Sequence, residues 1–281
     1  MNLKPITFIT QNVKEWQLEE AMKMCYNNIS FSTYPYILYK LFSSYDTLNQ
    51  YNSGNCIALS LFIYTYLKNN YNIHSYIIPA SVPSIFRVEG TNHICHVSIC
   101  VPVNSSKFYI IDPAFYFLKP MHCSIKHNIM REIESSNIHN NEKEKIKFIL
   151  QKSSYDAILP NSIECKCYFV HLPKDVWSYY LNEILNPDEC IGSIYIKAKP
   201  NPFLCNTEYD EETQTVKKKY HIKTETNDKG TNDKGTNRTD TEVIVIQDCK
   251  EIFKGTPTNM PKEIKNIIQT KLYKYFSNYI I

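Results

Sequence analysis

The segment SGNCIALSLFIYTYLKNN, residues 53–70, opens on a glycine and a cysteine and continues as an apolar run that reads as a buried helix ending at Asn69 and Asn70. Beyond it the pattern changes period. HSYIIPA (74–80), HVSICVPV (96–103) and KFYIIDPAF (107–115) are short, rich in β-branched and aromatic residues, and bounded by Pro, Asn and Ser, so they read as successive strands. A strong helix followed by a run of strands favours an α+β fold over a regular parallel α/β one.

Working outward, VKEWQLEEAMKMCYNN (13–28) spaces Val13, Trp16, Leu18, Ala21 and Met24 mostly at helical steps, and YILYKLF (36–42) continues the habit. Beyond Pro120, EKEKIKFILQK (142–152) and DVWSYYLNEIL (175–185) are expected as helices, the second with Asp175 as its N-cap. KCYFVHL (166–172) and IGSIYIKA (191–198) are expected to be extended. NDKGT occurs twice in tandem between the strand-like VKKKYHIKT (216–224) and TEVIVIQD (241–248). Such a polar stretch buries too little apolar surface to offset its ordering entropy, which predicts a disordered insertion at a hairpin tip over about 225–240. Pro261 suits the first turn of a closing helix whose buried stripe is Ile264, Ile267, Ile268 and Leu272. The expected division is residues 1–125, a helical segment with the core helix and strands, and residues 126–281, a second α/β layer or subdomain.

The chain has 281 residues, 43% of them hydrophobic and 21% charged, enough for a sizeable core. A formal net charge of +3, with Lys and Arg spread along the chain, gives no basic stripe for nucleic acid or an anionic membrane. Without an apolar run of about 18 residues or a signal-peptide pattern, the expectation is a soluble cytoplasmic protein. Its 10 cysteines are then expected as free thiols. Cys165, Cys167 and His171 faintly suggest a metal cluster, but there is no CxxC and no second cluster at zinc spacing, so no metal is expected.

Cys56 falls in the first turn of its predicted helix, where unpaired N–H groups and the helix dipole favour a thiolate. Gly54 permits a sharp turn and room beside the sulfur. In HVSICV, Val97, Ile99 and Val101 alternate with His96, Ser98 and Cys100, so His96 points away from the aliphatic face and is free to meet the helix start. If KFYII pairs antiparallel with this strand through a turn near VNSSK, Asp112 returns to the level of His96. The three then suit a nucleophile, a proton carrier and an orienting carboxylate. His93, three residues before His96, is the alternative proton carrier, on the opposite face of a regular strand.

SGNCIALSLFIYTYL, HICHVSIC and FYIIDPAF together resemble the core of transglutaminase-like cysteine enzymes, and in order and gaps they are similar to arylamine N-acetyltransferases, over roughly residues 45–118. The resemblance implies a papain-like core with a nucleophile-bearing helix packed on an antiparallel sheet. It also implies thiol-dependent acyl transfer or amide hydrolysis through a thioester, with Cys56 as nucleophile, His96 as general base and acid, and Asp112 as orienting carboxylate. Gln50, six residues before Cys56, matches the glutamine-to-cysteine gap of papain-like proteases and implies an oxyanion donor. No cofactor is required by the triad; acetyl-CoA or another acyl-CoA is the implied donor, and a small-molecule acyl donor or a peptide amide the implied partner. The chain departs from the acetyltransferase pattern in having YNSGN before the cysteine and PAFYF after Asp112. A catalytically inactive interaction module on the same fold is the alternative.

Overall fold

The computed structural model describes residues 6–38, 41, 43–87, 94–125, 129–140, 142–152, 163–181, 203–229 and 238–271. Helix α1 (Glu15–Asn28) buries Leu18, Ala21, Met22, Cys25 and Tyr26. Strand β1 (Ser30–Ser32), the short α2 (Tyr34–Leu38), α3 (Ser44–Tyr51) and the two-residue β2 (Ser53–Gly54) then lead into α4 (Cys56–Tyr71). Helix α4 is apolar almost all round, the pattern of a helix enclosed by its neighbours, and it packs against α1, α3 and the strand that carries His96.

Strands β3 (Tyr76–Ser81), β4 (Ile94–Pro102), β5 (Lys107–Ile111) and β6 (Met121–Ser124) run antiparallel. They continue through β7 (Arg131–Asn137), β8 (Glu142–Lys152), β9 (Ile163–Phe169) and β10 (Val176–Tyr180) as an eight-stranded sheet in the order β6-β5-β4-β3-β10-β9-β8-β7. Strands from both sides of position 125 therefore share one sheet. Its ends approach each other through the Phe117–Ser135 bridge and the Leu118 N–H bond to Glu134 O at 2.9 Å, so the sheet curls nearly into a barrel. The main core lies between this sheet and α1 and α4.

A second sheet has the order β14-β13-β12-β11-β1-β2, where β11 is Phe203–Asp210, β12 Thr215–Lys229, β13 Arg238–Gln247 and β14 Lys250–Gly255. Tyr34, Leu204, Tyr220, Ile222, Val243, Val245, Met260 and Ile268 form its own core, covered by the C-terminal helix Lys262–Lys271. The architecture is α+β, as the residue pattern implies.

Two expected helices are strands. Residues 142–152 form β8: Ile146, Phe148 and Leu150 are buried at period two, and pairing to β7 and β9 overrides the helix propensity of the Glu and Lys residues. Residues 176–180 form β10, buried between β3 and β9 on both faces, so no alternation marks them. Asp175 is not that helix's N-cap; its carboxylate accepts from Ser84 N (2.5 Å) and Ile85 N (3.3 Å). The β12–β13 ladder runs out to Lys229–Arg238, so the hairpin extends into the polar repeat, while 230–237, the strand expected at 191–198 and Leu272 lie outside the described residues. Among the described residues no helix is long and apolar enough to cross a membrane.

Candidate active site

Gly54, Asn55 and Cys56 make a tight passage from β2 into α4. A Cβ on Gly54 would come within 2.5 Å of Ala58 Cβ, 2.6 Å of Thr47 Oγ1 and 2.7 Å of Tyr36 Oη, so only glycine fits. Asn55 is the N-cap: its Oδ1 accepts from Ile57 N (3.0 Å) and Ala58 N (3.3 Å), and from Ser44 Oγ (3.0 Å). The Tyr36 hydroxyl accepts from Asn55 N (3.1 Å) and bonds Ser44 Oγ (2.9 Å) and Thr47 Oγ1 (3.1 Å). This buried network fixes the direction in which Cys56 leaves the helix start.

The β4–β5 hairpin brings the other two residues together. Its turn closes through Val103 N to Lys107 O (2.8 Å) and through Asn104 Oδ1, which accepts from Ser106 N and Lys107 N. With Ile99 opposite Ile111, Asp112 emerges beside His96, and His96 Nε2 donates to Asp112 Oδ2 at 2.6 Å. Cys56 lies close enough to the same imidazole to raise its proton affinity. All three residues are buried.

Burial alone would pull the His96 proton affinity down, but the charges of Asp112 and Cys56 and their hydrogen bonds outweigh it, so His96 stands well above the ordinary imidazole value of 6.5. Asp112 is fully satisfied: its Oδ1 accepts from Ala114 N (3.0 Å) and Phe115 N (3.2 Å), and its Oδ2 also accepts from Tyr179 Oη (2.8 Å). Tyr179, on β10, has no counterpart in the sequence reading, because its segment reads there as helix. Phe115 stands edge-on to the His96 ring at 5.1 Å, backed by Trp177 at 5.0 Å, and seals that side from water.

Cys56, His96 and Asp112 are thus brought together. Gln50 is not drawn into the cluster: it lies exposed in the last turn of α3, and no described hydrogen bond joins it to Cys56 or His96. His93 lies outside the described residues. Cys165 and Cys167 point into the core of the eight-stranded sheet, whereas the half-exposed His171 faces Glu144 at 3.7 Å. Among the described residues no group of three or more His, Cys, Asp or Glu is arranged to hold a metal. Cys25, Cys56, Cys100, Cys123, Cys165, Cys167 and Cys205 are free thiols, and Cys190 is outside the described residues.

Solved structures with this architecture share little sequence with the chain. An arylamine N-acetyltransferase from Bacillus cereus, described as having a Cys-His-Glu catalytic triad, superposes with a TM-score of 0.54 at 12% identity, covering 94% of this chain and 92% of that one. The fold is that of the arylamine N-acetyltransferases. The enzyme from Nocardia farcinica gives a TM-score of 0.53 at 11% identity over 92% of this chain and 83% of its own. That from Mycobacterium marinum, solved in complex with CoA, gives 0.50 at 9% identity over 94% and 88%. No family model and no curated protein sequence matches the chain.

Proposed function

We propose that the protein transfers an acyl group from a thioester donor to an amine through a thioester on Cys56. The observation that carries this reading is the buried His96–Asp112 hydrogen bond with Cys56 beside the same imidazole. The charges of Asp112 and Cys56 raise the His96 proton affinity against the opposing effect of burial, which suits the imidazole to hold a proton beside the sulfur and hand it on.

In this reading the Cys56 sulfur attacks the donor carbonyl, and the tetrahedral oxyanion takes the N–H of Cys56. The Asn55 cap occupies the N–H groups of Ile57 and Ala58 and leaves that of Cys56 out. The papain-like spacing offers Gln50 as a second donor, but it lies exposed in the last turn of α3, outside the cluster. As the intermediate collapses, the Nδ1 proton of His96 passes to the departing thiolate. His96 then takes a proton from the attacking amine, the Cys56 thioester breaks, and the amide leaves. Asp112 holds Nε2–H throughout and stabilises the imidazolium. The fold relatives support an acyl-CoA as donor and an arylamine as acceptor.

The test is intact-protein and peptide mass spectrometry after incubation with acetyl-CoA. An acetyl adduct on the Cys56 peptide, discharged by an added arylamine and absent from Cys56→Ser, is expected. An adduct on another cysteine, or none, would overturn the assignment.

A further inference from the structure

The consecutive lysines Lys217, Lys218 and Lys219 of β12 have different partners. Lys217 and Lys219 ion-pair with Asp210 and Glu208 of β11. Lys218, at the bulge opposite Thr207, is only 7% exposed. Its Nζ meets a neutral acceptor, His139 Nδ1 at 3.3 Å, in the turn after β7. Further along β12 come His221, 9% exposed and edge-on to Phe203 at 6.1 Å, and the half-buried Lys223. Among the described residues no carboxylate ion-pairs with any of these four.

An ammonium so withdrawn from water carries three N–H donors and here has one imidazole nitrogen as partner, so it is short of acceptors. The positive potential around it is uncompensated. Burial, then the charges of Lys218, Lys223 and His139, push His221 down to about 3. His139 is lowered by burial and by the same two lysines.

We propose that Lys218, Lys223, His139 and His221 form a phosphate-binding site on the second sheet, opening to solvent beside the exposed His139. Donors converging from one strand and a facing turn suit a tetrahedral dianion with several acceptor oxygens better than a planar carboxylate. The position relative to the thiol is fixed by strand pairing: His221 pairs with Cys205, Cys205 with Phe31, and Phe31 with Gly54, two residues before Cys56. Three interstrand steps make roughly 14 Å. An extended substrate can therefore rest its phosphate here with its carbonyl at the sulfur; that link rests on the function proposed above, while the phosphate site does not.

The test is calorimetric titration of the full chain with inorganic pyrophosphate. One saturable site is expected. Lys218→Ala and Lys223→Ala should each weaken it about tenfold or more, as for loss of a charge-assisted hydrogen bond. Lys219→Ala removes the same charge from a lysine paired with Glu208 and should change affinity less than about threefold. No saturable binding, or an equal loss in all three variants, overturns the site. If Lys218→Ala does not fold, Lys223→Ala and the exposed His139→Ala carry the same comparison against Lys219→Ala. A second arm locates the source: pyrophosphate that raises KM for a phosphate-bearing acyl thioester, but not for a phosphate-free one, assigns the phosphate to the donor. Binding without such competition assigns it to free phosphate. Pyrophosphate binding is independent of Cys56, so a failure of acylation and a failure of this site read out separately.

Discussion

Replacing Tyr179 with phenylalanine removes one donor from Asp112 and leaves the rest of the site in place. The phenol is fully buried, and its proton affinity is raised first by burial and then by the charge of Asp112, so it is an O–H donor at any workable pH. It shares Oδ2 with His96, at 2.8 Å against 2.6 Å. In Tyr179→Phe the ring keeps its edge-on contact with Phe117 at 6.4 Å, and Asp112 keeps Ala114 N, Phe115 N and His96. One hydrogen bond to a buried charge is lost, about 1.5–3 kcal/mol. At roughly 2–4 °C per kcal/mol for a chain somewhat smaller than this, Tm falls by roughly 3–12 °C. The same change leaves more carboxylate charge for Nε2, so the His96 imidazolium is stabilised further. The alkaline limb of Cys56 alkylation by iodoacetamide therefore moves to higher pH while the protein becomes less stable. Urea denaturation and the pH–rate profile together decide it: a stability within about 0.5 kcal/mol of the parent, or a limb that moves down, refutes the arrangement.

Asp112→Asn should move that limb the other way, because the carboxylate charge is the largest of the contributions raising His96, and acylation should slow by about 100-fold or more. The raised His96 affinity also stabilises the fold fully below about pH 6.5, and the contribution is lost as pH rises through the higher folded value; the difference in urea midpoint between parent and Asp112→Asn should shrink along that rise. Gly54→Ala places a methyl against Ala58, Thr47 and Tyr36 and should cost about 1–3 kcal/mol, seen as a lower urea midpoint with unchanged slope. Because Gln50 stands exposed outside the cluster, Gln50→Ala should change single-turnover acylation by less than about threefold, and a loss on the order of 100-fold would restore it as an oxyanion donor.

The site was legible where its signals were local. Cys56 at a helix start, the alternation around His96 and the hairpin length that returns Asp112 to His96 are each written in a few neighbouring residues. The strands β8 and β10 were not. In 142–152 the Glu and Lys residues favour a helix, and only the pairing of β7 and β9 along both edges decides otherwise; the period-two set Ile146, Phe148, Leu150 was the available signal. In 176–180 both faces are buried, so Trp177, Ser178, Tyr179 and Tyr180 form an unpatterned run, and Tyr179 could not be placed beside Asp112. The inward Lys218 needed the bulge at Asn206 and Thr207, which no sequence period announces.

The strand leading into Cys56 belongs to one sheet, and His96 and Asp112 to the other. Strand β2 is held by β1, and β1 is flanked on its far side by β11, which begins at Phe203. A growing chain holds Cys56, His96 and Asp112 once it has passed residue 112, yet β1 lacks its outer partner until about ninety more residues have been added. The order of synthesis therefore leaves β2, and with it the approach to Cys56, on a sheet of two short strands until β11 has been made to pair with β1.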